Sequence, residues 1–337
     1  MVTRFRSEAG FTLAEMLIAT GLLLVISSIV TSALLQMTNH QQTIWNRTEM
    51  HSGVRGATEL LQQEVGQAGR IAIPAAVTIS SSPVPAPATT TACAISSTVL
   101  SSVAGMWYDT ASSTSVTISF LDGDRTESVK LTGLNKATKT VTGCFWHQHD
   151  VGAPVAVMGA FANGIIPKTG VVNGSTANKL KMFGDINGDG TMVYVEYYCD
   201  NGDAGTDGTH NLYRNVMKFD WDLAVDGPKP SILNNAKILL SNVYPNPNDG
   251  AVPRPCFQYQ EAPLTVQGTA FTFVLDVAVT LTVQTQSLDS ITRQYQTETK
   301  ALLNVSPRNV FFAWELAGMG YTDRIQSTPG TVTALLP

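Results

Sequence analysis

Charge is scarce in this 337-residue chain. Asp, Glu, Lys and Arg make up 14% of it, and 21 Lys and Arg stand against 26 Asp and Glu. Without a basic excess, general nucleic-acid binding is disfavoured. Cysteine is equally sparse: Cys93, Cys144, Cys199 and Cys256 lie far apart with no C-x-x-C pair. That argues against a clustered zinc or redox site and for two ordinary disulfides in an oxidising compartment. No G-x-S-x-G, P-loop, H-E-x-x-H or dinucleotide fingerprint occurs, so neither catalysis nor an organic cofactor has positive support. No repeat of fixed period is evident, and no proline precedes Pro74. What the chain does have is 44% hydrophobic residues, 27 glycines and many Ser and Thr. This is the composition of a β-rich exported protein, long enough to bury a sizeable core.

The apolar residues are concentrated at one end. From Phe11 to Met37 the only charged residue is Glu15. About 20 apolar residues at a helical rise of about 1.5 Å each cover the hydrocarbon core of a bilayer, so this run is long enough to cross one. Arg4 and Arg6 on its N-terminal side predict a cytoplasmic leader and an exported body. An ordinary signal peptide would close on an A-x-A cleavage site, which is missing. A plain anchor gives no reason for a carboxylate near the cytoplasmic end. An unpaired charge costs about 2.5–3.5 kcal/mol at the centre of a membrane helix and less near the interface, which makes Glu15 a functional candidate.

At Gly10-Phe11-Thr12-Leu13-Ala14-Glu15 the chain resembles the type IV pilin and type II secretion pseudopilin superfamily: a basic leader ending in Gly, then Phe-Thr-Leu-x-Glu opening an apolar helix. The resemblance implies that a membrane-embedded prepilin peptidase cuts between Gly10 and Phe11 and methylates the new amine of Phe11. It also implies that Glu15 pairs with a mature N-terminal amine during assembly with other pilins. The missing mid-helix proline departs from major pilins and hints at a minor pilin or pseudopilin.

Beyond Met37 the pattern turns amphipathic. Ile44, Met50, Val54, Ala57, Leu60, Leu61, Val65 and Ala68 recur along one helical face. Gly69 before Pro74 is the expected stop, so one helix from about Phe11 to about Gly69 is predicted, its first half (11–37) in lipid or a filament core and its second (38–70) under a β-sheet. Residues 78–117, rich in Ser, Thr, Ala and Pro, read as an extended surface excursion tied down by Cys93. Alternating runs at 115–121, 127–133, 191–199, 211–223, 236–244 and 271–306 read as strands, the last pair a hairpin turning near Leu288-Asp289-Ser290. Four cysteines allow three connectivities; parsimony pairs Cys93 with Cys144 and Cys199 with Cys256.

Residues 185–196 match D-x-[DN]-x-[DN]-G-x5-E in full. Asp185, Asn187, Asp189, the carbonyl of Thr191 and Glu196 could therefore ligate calcium, with Gly190 allowing the turn. Because residues 191–199 read as a strand rather than an exiting helix, Glu196 is also expected to point away, leaving Asp200-Asn201-Gly202-Asp203 to contribute. An ordinary β-turn explains the same Asn-Gly and Asp-Gly pairs. His147-Gln148-His149, beside Cys144 and Trp146, reads as an exposed polar turn rather than a metal site for want of a third ligand. Trp45, Trp107, Trp146, Trp221 and Trp314 read as core or edge aromatics.

The expectation is an α+β protein: a leader (1–10), a long membrane-spanning helix, and one β-rich exported domain (71–337). The resemblance implies a non-enzymatic minor pilin, like the larger PilW-type minor pilins or J-type pseudopilins. It would reside in the bacterial inner membrane before joining a pilus or pseudopilus and would initiate assembly or sit at the tip. The rivals are a type II secretion minor pseudopilin, a calcium-stabilised surface adhesin and a membrane-tethered enzyme.

Overall fold

The computed structural model describes residues 10–200, 210–232, 237–266, 268–290 and 292–336. One continuous helix, α1 (Leu13–Gln67), opens the chain. The residues fall into two compact units: one runs up to Ser52 and includes Gln284–Gln296, and the other takes Gly53–Val283 with the residues from Thr297 onward.

The first unit is mainly helix. Its apolar stretch is long enough to cross a membrane, with a mean hydropathy of 2.2 over 18 residues and none of that stretch buried. Leu13, Leu17, Leu24, Ile29 and Leu35 all face outward. The loop 285–296 lies against the more polar part of the same helix, where Ser290 Oγ donates to the Asn39 carbonyl at 3.2 Å and Arg47 Nε donates to Gln296 Oε1. Asp289 organises this loop by accepting from Thr292 N at 2.7 Å and Gln296 Nε2 at 2.9 Å. The turn is therefore wider than the sharp one expected at 288–290.

The second unit contains the strands. In chain order these are β1 (Ile79–Ser81), β2 (Ala94–Leu100), β3 (Tyr108–Asp109), β4 (Thr114–Ser115), β5 (Thr117–Phe120), β6 (Glu127–Asn135), β7 (Thr140–Phe145), β8 (Val155–Ala156), β9 (Ala160–Phe161) and β10 (Lys179–Gly184). They continue as β11 (Val193–Cys199), β12 (His210–Lys218), β13 (Lys237–Tyr244), β14 (Asn248–Asp249), β15 (Val252–Pro253), β16 (Phe257–Val266), β17 (Thr269–Gln284), β18 (Thr297–Val305) and β19 (Ile325–Gln326). Helices α2 (Arg308–Gly318) and α3 (Gly330–Leu335) complete the elements. A six-stranded sheet runs β1-β2-β7-β6-β5-β8, and a seven-stranded one runs β10-β11-β12-β13-β17-β16 with β18 also on β17.

Both sheets feed one core. Ile79, Leu100, Ile118, Phe120 and Phe145 from the first meet Phe183, Tyr194 and Met217 from the second, together with Val332 and Leu335 of α3. A smaller cluster joins Val266 and Phe273 to Val310, Ala313 and Ala317 of α2. The second half of α1 packs by Val54, Ala57, Leu61 and Val65, so the anticipated apolar face is real from Val54 onward. Ile44 on that pattern is 64% exposed. Gly69 (φ +82°) ends the helix, as its position predicts: its N–H goes to Phe183 O at 2.9 Å. Asn309 Nδ2 of α2 covers the carbonyls of Gln67 and Ala68 at 3.2 and 3.3 Å, supplying partners that a helix end otherwise lacks.

The cysteines pair as parsimony suggested, Cys93 with Cys144 and Cys199 with Cys256, at Cα separations of 5.3 and 6.4 Å. The expectation for 78–117 needs correction. Only the Pro-rich part near 81–92 is a largely exposed excursion. The rest supplies β1–β5 as far as Thr117 and buries Ile79, Val84, Leu100, Met106, Trp107 and Val116, because its apolar residues lie among Ser and Thr that pair well in strands. The tryptophans divide: Trp107 packs against Phe161 and Phe219, whereas Trp45 and Trp146 are 73% and 51% exposed.

Candidate functional site

Gly10 and Phe11 precede α1 and are exposed, and no atom lies within 4 Å of where a Cβ on Gly10 would sit. Glu15 lies in the first helical turn. Its Oε2 accepts from Thr12 N at 2.9 Å and from Thr12 Oγ1 at 3.0 Å, while Glu15 N donates back to Thr12 Oγ1 at 3.3 Å. This reciprocal pattern is a capping box. Thr12 is thus a functional neighbour that the sequence reading passed over, although T-x-x-E ahead of an apolar run is the signature of that box. The result is an accessible peptide bond outside the helix, followed within one turn by a carboxylate at the positive end of the helix dipole.

The acidic loop follows β10. Asp185 is buried; its Oδ1 accepts from Gly190 N at 3.3 Å, and Arg70 Nε stands 3.6 Å from its carboxylate. Asp189 Oδ1 accepts from Thr191 N at 2.8 Å, and Gly190 takes a left-handed φ of +83°. Asn187, Asp189 and Thr191 are exposed. Glu196 sits within β11, opposite Lys181 and Asn215. Its carboxylate accepts from Tyr194 Oη at 2.8 Å and Lys229 Nζ at 2.5 Å, with Lys181 Nζ at 3.9 Å. Glu196 is thus engaged by cations rather than by the loop. Among the described residues, no three His, Cys, Asp or Glu side chains are grouped to hold a metal ion. Of the alternative ligands, Asp200 lies 3.3 Å from His210 Nδ1, and Asn201, Gly202 and Asp203 lie outside the described residues.

Three buried ionic groups emerge that the sequence reading did not assemble. The Glu196 cluster also holds the end of α3: Lys229 Nζ donates to Leu335 O at 2.7 Å and Lys181 Nζ donates to Leu336 O. Burial pushes the Lys181 ammonium down to about 8 and raises the Tyr194 phenol far above its ordinary range. In the second group, Glu64 of α1 accepts from Tyr197 Oη and Arg214 Nη2, each at 2.5 Å. A carboxylate at helical spacing on an otherwise apolar face was its only sequence signal. In the third, His149 is fully buried rather than in an exposed turn, with Nε2 2.8 Å from Glu127 and Nδ1 3.4 Å from Asp122. His147 is exposed.

No family model matches this chain, and neither the curated proteins nor the solved structures contain a match to it.

Proposed function

We propose that this chain is a minor subunit of a type IV pilus-like filament machine, processed by a prepilin peptidase and assembled through α1. The observation that carries the reading is the Gly10–Glu15 junction, an accessible Gly-Phe bond joined to a capped apolar helix with a carboxylate in its first turn. Gly at the cut presents an unhindered, extensible backbone to the protease. Cleavage creates an ammonium on Phe11, within one turn of Glu15. In a low-dielectric setting the two charges offset each other's desolvation, whether the amine belongs to the same chain or a neighbour. The two disulfides suit an exported body, and the apolar helix suits residence in the inner membrane before extraction into a filament of other pilins. A substoichiometric or tip position accords with the absence of the mid-helix proline of bulk subunits.

Mass analysis of the chain recovered from cells tests the processing step. An N-methylated Phe11 at the start is expected, and a chain that keeps Arg4 and Arg6 or begins elsewhere overturns the reading. Glu15→Ala should leave cleavage and membrane insertion intact while the subunit disappears from sheared filaments. Unchanged incorporation would remove Glu15 from assembly.

A further inference from the structure

The flanks of the seven-stranded sheet are not treated alike. β10 is met by Ile165 through a bridge at Met182. The edge strand β16 contains Pro263, and its Glu261 side chain receives the backbone N–H groups of Lys168 and Thr169. Proline and covering segments are ordinary ways of closing an edge to foreign strands. Among the described residues β18 has neither: it pairs with β17 alone, and Thr297, Thr299, Lys300 and Ala301 are exposed. Open backbone donors and acceptors along nine residues form a template for another extended strand.

The order of charges in β18 selects the occupant. Glu298 and Lys300 flank Thr299 symmetrically. If two copies run antiparallel with Thr299 facing Thr299, each Glu298 faces the other copy's Lys300, and each Thr297 faces an Ala301. Opposite charges directly across an antiparallel pair are favourable, whereas the parallel in-register pairing would set Glu298 against Glu298. The antiparallel arrangement has two-fold symmetry and closes on itself, so it ends at two copies. We propose that β18 pairs with β18 of a second copy of this chain about Thr299, joining the two seven-stranded sheets edge to edge. The inference does not depend on the filament reading.

Disulfide trapping of the full-length chain in membranes tests it, because the native cysteines are all paired and leave no background thiol. Thr299→Cys should give an oxidised dimer of two identical chains. Ala301→Cys should give several-fold less, since four residues of strand rise would separate its two sulfur-bearing positions by roughly 13 Å, beyond disulfide reach. In the Thr299→Cys background, Glu298→Lys should remove the dimer, and the added reversal Lys300→Glu should restore it, which separates lost pairing from lost folding. The proposal is overturned by no dimer at position 299, equal trapping at 299 and 301, an adduct to a different polypeptide, or failure of the double reversal to restore the dimer.

Discussion

Glu196 and Glu64 are buried carboxylates, 4% and 3% exposed, and each is matched by cations from other elements. Removing one partner of such a group leaves an uncompensated buried charge, which costs about 3–5 kcal/mol. Glu64→Gln should therefore lower unfolding stability by about 3 kcal/mol, since Arg214 would keep its charge against the sheet without a counterion; denaturant titration measures the change. Glu196→Gln, which leaves Lys181 and Lys229 against α3, should cost a similar amount, and by the same margin with calcium as with a chelator. A loss seen only with calcium would instead restore Glu196 to the ligand role its motif suggests. The motif was legible at Asp185, Asn187 and Asp189, where a turn closes on Gly190 and Thr191. It failed to describe Glu196 because a strand alternates its side chains, and the spacing of a helix-ended loop does not carry over.

At the scale of elements, α1 was the most legible part. Its apolar run, its buried stripe from Val54 and its stop at Gly69 follow from spacing and from one residue that tolerates a left-handed backbone. Gly69→Ala would force a side chain into that conformation, with its Cβ 3.1 Å from Val310 Cγ2. It should destabilise the second unit by about 1–2 kcal/mol, read as a lower thermal midpoint, and an unchanged midpoint would mean that the helix end yields. The strands β11, β12, β13 and β17 fall within the anticipated runs, apart from single residues at their ends and the first two of β17. β16 went unanticipated because Pro263 demotes a run, although an edge position tolerates it. β10 is short and buried almost throughout, so it lacks the alternation that marks a strand with one wet face. Helix α2 was overlooked because its aromatic residues suit strands as well as helices.

Stability against pH belongs to the whole molecule, and its buried groups set opposing slopes. Lys181 titrates near 8 when folded because burial disfavours its charge, against an ordinary value of 10.5. Between those values the unfolded chain holds more protons than the folded one, so stability rises with pH. Tyr194 and Tyr197, raised by burial above the ordinary 10.0, act the other way: past pH 10 the folded chain keeps protons that the unfolded chain releases, and stability falls. Chemical unfolding should thus show stability climbing from about pH 8 to about pH 10, and Lys181→Met should flatten that climb. A flat wild-type profile would mean that Lys181 is not the group being charged at a cost.

The amino-acid order by itself determined what local spacing can carry: the apolar helix and its terminator, the alternating strands, the capped Gly10–Glu15 junction and a disulfide pairing chosen by parsimony. These depend on periodicity and on the backbone freedom of single residues, which act within a few positions. Only the tertiary structure decided which strands neighbour one another, that much of 78–117 joins the core, and where the buried charges find their partners. Glu64 meets Arg214 across 150 residues of chain. The desolvation penalty of a buried carboxylate demands a counter-charge but says nothing about where along the chain it comes from; the fold supplies that answer.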